Sequence, residues 1–188
     1  MQTNGVTKPT VLVVDDEREV ADTYALALED EYRVDVAYNG EAALDYVREF
    51  PVDVVVLDRG MPDLSGDEVL VTVRDWGLDV RVLLVTATRP SFDVLGLGFD
   101  GYLLKPTGLD GLRATVARLV RSRTYDSLWG ELSQLRVCRN VLQAEHRRAR
   151  LESNEHYRAL LARIRVLESR EASYRASVES AASSAVRV

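Results

Sequence analysis

The chain has 188 residues, 46% of them hydrophobic and 29% charged, with 24 basic and 30 acidic side chains. That is enough for one ordinary domain with an addition, or for two small domains. No apolar run approaches the length of a membrane span, the start MQTNGVTKPT lacks the features of a signal peptide, and a lone cysteine, Cys138, excludes an intrachain disulfide or a cysteine-based metal site. We therefore expect a cytoplasmic protein, with Cys138 as a small apolar filler in a helix.

Charge is unevenly placed. Residues 1–121 carry 12 basic and 22 acidic side chains, whereas residues 122–188 carry 12 and 8. Basic residues are 22 arginines and two lysines, Lys8 and Lys105. The halves should differ in character.

Residues 1–8 read as a disordered lead-in. TVLVV (10–14) is a buried strand, and a helix follows over 16–30 with apolar positions Val20, Tyr24, Ala27 and Leu28. YRVDVA (32–37) is a short strand. A helix over 40–50 turns Ala43, Leu44 and Val47 inward. DVVVL (53–57) is a third strand, delivered to Asp58 and a Met-Pro-Asp turn. A helix over 66–76 stops at Gly77. VRVLLVT (80–86) is a fourth strand. SFDVLGLGF (91–99) is the weakest helix, because Gly96 and Gly98 both penalise it. GYLLK (101–105) is a fifth strand, and a helix spans 109–121. Alternating strands and helices predict an α/β fold: a (βα)5 doubly wound parallel sheet of order 2-1-3-4-5, flavodoxin-like, over residues 9–121.

Beyond 121 the strand signals stop. Leu128, Leu132, Leu135 and Leu142 share one helical face. Tyr157, Leu160, Ile164, Leu167, Glu171, Tyr174 and Val178 step by 3 and 4, a heptad seam with one acidic interruption. Residues 122–178 thus read as a C-terminal α-helical hairpin or coiled coil, broken near ESN (152–154), with 179–188 as a frayed tail.

Chemistry collects at the strand ends: Asp15 and Asp16 after the first strand, Asp58 after the third, Thr86 after the fourth, Lys105 and Pro106 after the fifth. In an open α/β sheet the ligand site lies outside these ends, where strand order reverses. Three carboxylates in one pocket repel one another, which a divalent cation relieves, and an all-oxygen ligand set favours Mg²⁺. Asp58 is then a candidate nucleophile for a phosphoryl group. Lys105 suits a phosphate oxygen, Thr86 can donate a hydroxyl to it, and Pro106 can hold a cis bond. Singly, each has a plainer explanation: a helix N-cap pair for Asp15-Asp16, a turn cap for Asp58, a surface cation for Lys105, β propensity for Thr86. Their joint placement favours phosphoacceptor chemistry.

VLVVDDE (11–17), VLDRGMPDLSGDE (56–68), LLVTA (83–87) and YLLKP (102–106) together resemble a response-regulator receiver domain of two-component signalling. The resemblance implies that Asp58 accepts phosphate from a sensor histidine kinase. It implies that Asp15, Asp16, Asp58 and the Gly60 carbonyl surround Mg²⁺, that Thr86 and Tyr102 form a switch pair, and that Lys105 contacts the phosphate. Such a domain catalyses only its own phosphorylation and dephosphorylation and is not otherwise an enzyme. Gly60 and Thr88 occupy positions that tune phosphate lifetime in the family. The short, glycine-bearing fourth helix departs from the pattern and puts the family's usual dimer in doubt. RSRTYDSLWGELSQL (121–135) and the two-helix pattern resemble the HalX domain that follows receivers in regulators of salt-loving archaea.

For the tail, the heptad seam favours a dimerisation or partner-docking module, including a homodimer. The cluster His146-Arg147-Arg148-Arg150 offers RNA or DNA binding as an alternative, though a solvated helix face is the plainer reading. A phosphate relay or sink without separate output is a third. An aspartyl phosphatase is disfavoured, since Gly60 stands where a second acid is wanted. His146 and His156 are read as solvated surface residues.

Overall fold

The computed structural model of the chain describes residues 8–123 and 130–185, with side chains for 8–121 and 130–174. Expectations for 1–7, for Leu128 and for the side chain of Val178 fall outside these. The chain divides into two compact units, the first holding 8–89 and 96–123, the second 90–95 and 130–185.

In the first unit five strands, β1 (Thr10–Val14), β2 (Arg33–Ala37), β3 (Val54–Asp58), β4 (Arg81–Thr86) and β5 (Gly101–Leu104), form one parallel sheet in the order β2-β1-β3-β4-β5. This is the expected order. The central β3 and β4 are buried at every position, and β1 at all but its first. Both faces are covered, so continuous apolar runs are what these strands require. Alternate residues point to opposite faces. Val11, Val13, Val54, Val56, Leu83 and Val85 join one core with Tyr24 and Leu28 of α1 (Arg18–Leu28) and Leu112, Val116 and Leu119 of α4 (Leu109–Arg123). Between these, α2 (Gly40–Glu49) and α3 (Gly66–Asp75) pack on each other. Asn39 caps α2 by accepting from the Ala42 N–H at 2.8 Å. Ser65 and Glu68 close a capping box on α3.

Two local expectations change. The segment 91–99 is not an α-helix; it holds a single 3₁₀ turn, Phe92–Val94. Pro90 precedes it, and Gly96 and Gly98 adopt φ of +86° and +73°, a left-handed backbone that ends a right-handed helix. Lys8, placed by sequence in the lead-in, is tied down: its ammonium donates to the Glu29 and Asp30 carbonyls at 3.2 and 2.8 Å. These lie at the C-terminal end of α1, where a cation is favoured.

The second unit is a helical hairpin: α5 (Gly130–Glu145), a short α6 (Arg148–Ser153) and α7 (Glu155–Ala185). The break falls at Asn154, within the expected ESN, and its side chain caps α7 by accepting from the Tyr157 N–H at 2.9 Å. A second break at His146-Arg147 was not legible. Tyr157, Leu160, Ile164 and Leu167 of the seam are buried, as are Leu132, Cys138 and Leu142 of α5, and α5 packs on α7. Polar pairs tie the two: Gln143 to the Tyr157 hydroxyl at 3.0 Å, Arg136 to Glu168 at 3.0 Å, and Arg163 to Glu131 at 2.7 and 2.9 Å. Helix α7 continues to Ala185, past residue 179 where fraying was expected.

At the N-terminal edge of β4 a charged network holds the first unit together. The Asp100 carboxylate accepts from Arg74 at 2.7 Å, Arg81 at 3.1 Å and the Val82 N–H at 2.8 Å. Arg74 also donates to the Gly98 and Val80 carbonyls at 2.9 and 2.8 Å. Removing one partner of such a buried group strands the others. Asp100→Ala is expected to cost about 3 kcal/mol in urea-induced unfolding of the full chain, with Asp100→Asn losing less because its amide oxygen still accepts.

Candidate functional site

The sheet register builds the site. Val14 of β1 pairs with Leu57 of β3, so the next residues, Asp15 and Asp58, stand side by side. Both are buried, at 2% and 7% exposure, whereas Asp16 is exposed. Carboxylate oxygens of Asp15, Asp16 and Asp58 lie within 4.8 Å of one another. The Lys105 N–H donates to the Thr86 carbonyl at 2.8 Å and so brings Lys105 to the same end of the sheet. Its ammonium stands 2.7 Å from Asp15 and 3.3 Å from Asp58. The Lys105-Pro106 bond is cis.

Electrostatics follow from burial and crowding. Burial and then the neighbouring Asp15 raise the pKa of Asp58, against Lys105 and a hydrogen bond from the Gly60 N–H, which lower it. Burial works against the Lys105 ammonium, but its hydrogen bond to Asp15 and the charges of Asp58 and Asp15 prevail, and its pKa is raised. Three carboxylates against one ammonium leave an excess of two negative charges. An all-oxygen cluster with that excess fits a small hard divalent cation.

Thr86 is the last residue of β4 and is buried; its hydroxyl oxygen accepts from the Thr88 N–H at 3.1 Å. The Tyr102 hydroxyl donates to the Thr88 carbonyl at 2.8 Å on the exposed side. Thr88 therefore links the two candidate switch residues.

Sequence reading missed three supports of the site. A Cβ on Gly66 would lie 2.2 Å from the Asp58 carbonyl oxygen and 2.8 Å from the Arg59 Cα, so α3 starts hard against the end of β3. Arg59 clasps Asp67 through two hydrogen bonds of 2.8 Å, fixing the chain after Asp58 to the first turn of α3. Tyr24, read only as a core position, has its pKa raised by burial and feels the charges of Lys105, Asp15 and Asp58. The capping box Ser-x-x-Glu was the one legible sign of this close helix start. The Met-Pro-Asp turn carries Asp63 at φ +63°, a conformation that aspartate tolerates in turns.

The helical residues singled out from sequence lie in the second unit, outside this site. His146 is not a solvated surface residue: its ring stacks on Phe92 at 5.2 Å, and its Nε2 is buried without a hydrogen-bond partner. His156 is exposed. Burial pushes the Cys138 thiol up to about 11, in keeping with an inert filler.

Gly66→Ala should force the start of α3 away from β3, lowering the melting temperature and weakening Mg²⁺ binding together; calorimetry with a Mg²⁺ titration measures both. Asp58→Asn should behave oppositely in chelator. A carboxyl whose pKa is raised on folding contributes stability below its unfolded pKa, about 3.9, and loses it as pH rises through the folded value. The raised pKa of Lys105 keeps that ammonium charged throughout this window. The asparagine variant should therefore melt higher than wild type at neutral pH, with the difference vanishing toward about pH 4.

Comparison with known proteins agrees with this geometry. The response regulator receiver domain matches residues 11–117, and the HalX domain residues 120–185. A putative transcriptional regulator of Haloferax volcanii is 43% identical over 118 residues, 62% of this chain and 20% of that protein. The transcriptional regulatory protein DltR of Streptococcus agalactiae is 37% identical over 131 residues, 68% of this chain and 57% of that one. The chain thus spans less than two thirds of the length of these relatives. Among solved structures, the receiver domain of the Francisella response regulator 1452 superposes with a TM-score of 0.57 at 31% identity, covering 60% of this chain and 97% of that one. A CheY-like receiver domain protein of Methanospirillum hungatei gives 0.60 at 22% identity, covering 63% and 98%, a likeness of fold. With strand order, strand-end residues and both matches in accord, the chain belongs to the response regulator receiver family of two-component systems and carries a HalX domain after its receiver domain.

Proposed function

We propose that Asp58 accepts a phosphoryl group from the phosphohistidine of a sensor kinase and that this event switches the helical unit. The observation that carries the reading is the pairing of a buried Asp58 carboxylate with the Lys105 ammonium at 3.3 Å, in a cluster shared with Asp15 and Asp16. An Asp58 oxygen attacks phosphorus. The new P–O bond forms as the donor P–N bond breaks, and the departing imidazole takes a proton from solvent. Asp15, Asp16, Asp58 and the Gly60 carbonyl are the residues that would hold Mg²⁺. When bound, the ion supplies positive charge against the phosphoryl oxygens.

The other residues have roles of their own. Lys105 is already within reach of the acceptor, so its ammonium can follow a phosphoryl oxygen without leaving the site. Thr86 offers a hydroxyl that turns toward that oxygen. Tyr102 then loses its acceptor arrangement at Thr88 and swings inward. The buried position of Asp58 limits access of water to the acyl phosphate.

For the helical unit, intramolecular use of its groups weighs against a free nucleic-acid surface. Arg148 pairs with Glu152 at 2.6 Å, and Arg150 lies over the Phe92 ring at 5.7 Å. No helix among the described residues is long and apolar enough to cross a membrane.

Incubation of the full chain with Mg²⁺ and a radiolabelled small phosphodonor such as acetyl phosphate tests the acceptor. Wild type should take up one phosphate, labile to base and to hydroxylamine. Asp58→Asn should take up none, and full labelling of that variant would sink the assignment.

A further inference from the structure

We infer that the segment Pro90–Leu95 is a latch that belongs to the helical unit and transmits the state of Asp58 to it; this rests on the phosphoacceptor reading above. The first observation is one of membership. The crossover from β4 to β5 starts and ends in the receiver unit, but its middle, 90–95, is part of the helical unit. No α-helix occupies this crossover; its one regular element is the turn Phe92–Val94.

The second observation is how firmly the segment is held there. Phe92 stacks on the His146 ring, with centroids 5.2 Å apart and planes at 16°. The Arg150 guanidinium lies 5.7 Å from the centre of the Phe92 ring, within cation–π range. Val94 is fully buried, and its carbonyl faces the Cys138 thiol at 3.8 Å. These contacts reach α5, the His146-Arg147 break and α6. The break that no sequence signal predicted is thus the place where the ring of Phe92 is gripped.

The third observation is what stands at the receiver end. Thr86 Oγ accepts the Thr88 N–H, and the Thr88 carbonyl accepts the Tyr102 hydroxyl. Thr88 is two residues before Pro90. Rotation of Thr86 toward a phosphoryl oxygen withdraws the acceptor from the Thr88 N–H, and release of Tyr102 frees its carbonyl. Both changes bear on a peptide whose continuation is clamped in the helical unit. A stiff Pro90 follows after Arg89, so displacement is passed on instead of being absorbed. On the return side Gly96 and Gly98, both at positive φ, give the chain freedom to re-enter the sheet. Drive is on the β4 side and slack on the β5 side. The output of the receiver is therefore read inside its own chain, by the helical hairpin.

Hydrogen exchange of the full chain, with and without Mg²⁺ and beryllofluoride as phosphoryl mimic, tests the latch. In wild type the mimic should alter exchange of amides 58–60 and 86–88, and also of amides in 132–142 and 157–167 by at least about fivefold, the low end of a typical coupling. In Phe92→Ala the receiver response should remain and the helical response should disappear. Since that variant can lose folding of the hairpin, a second variant carries Gly-Ser-Gly inserted between Arg89 and Pro90 and again between Leu95 and Gly96. It keeps every latch contact and should also lose the helical response. A helical response that survives the insertions overturns the latch. So does a wild type in which the receiver amides respond and the helical amides do not, which leaves Asp58 as acceptor. A wild type whose receiver amides ignore the mimic overturns both readings.

Discussion

Asp15 and Asp58 are forced together by the β1–β3 register, in a place too buried for water to screen them. Their repulsion is the constraint on which the receiver unit turns. Lys105 relieves part of it, and only because its own backbone is hydrogen-bonded to Thr86 at the neighbouring strand end. The pKa of Asp58 is raised even so, chiefly because burial disfavours its charged form. Such a cluster is a standing demand for positive charge or for neutralisation.

The opposite end of the sheet carries a charged network of its own. Arg74 and Arg81 converge on Asp100, and Arg74 reaches the Val80 carbonyl before β4 and the Gly98 carbonyl of the chain that returns from the β4–β5 crossover. Rigidity at that end fixes where β5 begins, and hence where Lys105 arrives. The close approach of Gly66 and the Arg59–Asp67 pair do the same for the chain beyond Asp58. The strand ends are thus held from several sides, while the crossover between β4 and β5 is handed to the helical unit.

Within that unit the heptad seam is spent at home. Tyr157, Leu160, Ile164 and Leu167 are buried in the hairpin, and at Tyr174 exposure has risen to 50%. A seam that meets its apolar needs inside its own chain no longer demands a second copy for these positions. Two arginines of the basic cluster have partners at home, Arg150 over Phe92 and Arg148 with Glu152. The carboxylate end of the sheet and the helical hairpin belong to two compact units, and 90–95 of the β4–β5 crossover belongs to the second.

Residue order alone determined the parallel sheet and its carboxylate end. Short continuous apolar runs, the aspartates that end them and the Lys105-Pro106 step are local signals, written where they act. A helical tail, read as a hairpin or coiled coil broken near Asn154, was legible for the same reason, since a helix stops where its caps say so. What only the tertiary structure decided depends on partners distant in sequence. Gly66 is required by the Asp58 carbonyl across a turn, Asp100 gathers Arg74 and Arg81 from two other elements, and Phe92 meets His146 from 54 positions away. Sequence weakened the helix at 91–99 through its glycines but could not say where the segment would go. That was settled by which apolar surface lay open to Phe92 and Val94, a property of the packed hairpin and not of the segment itself.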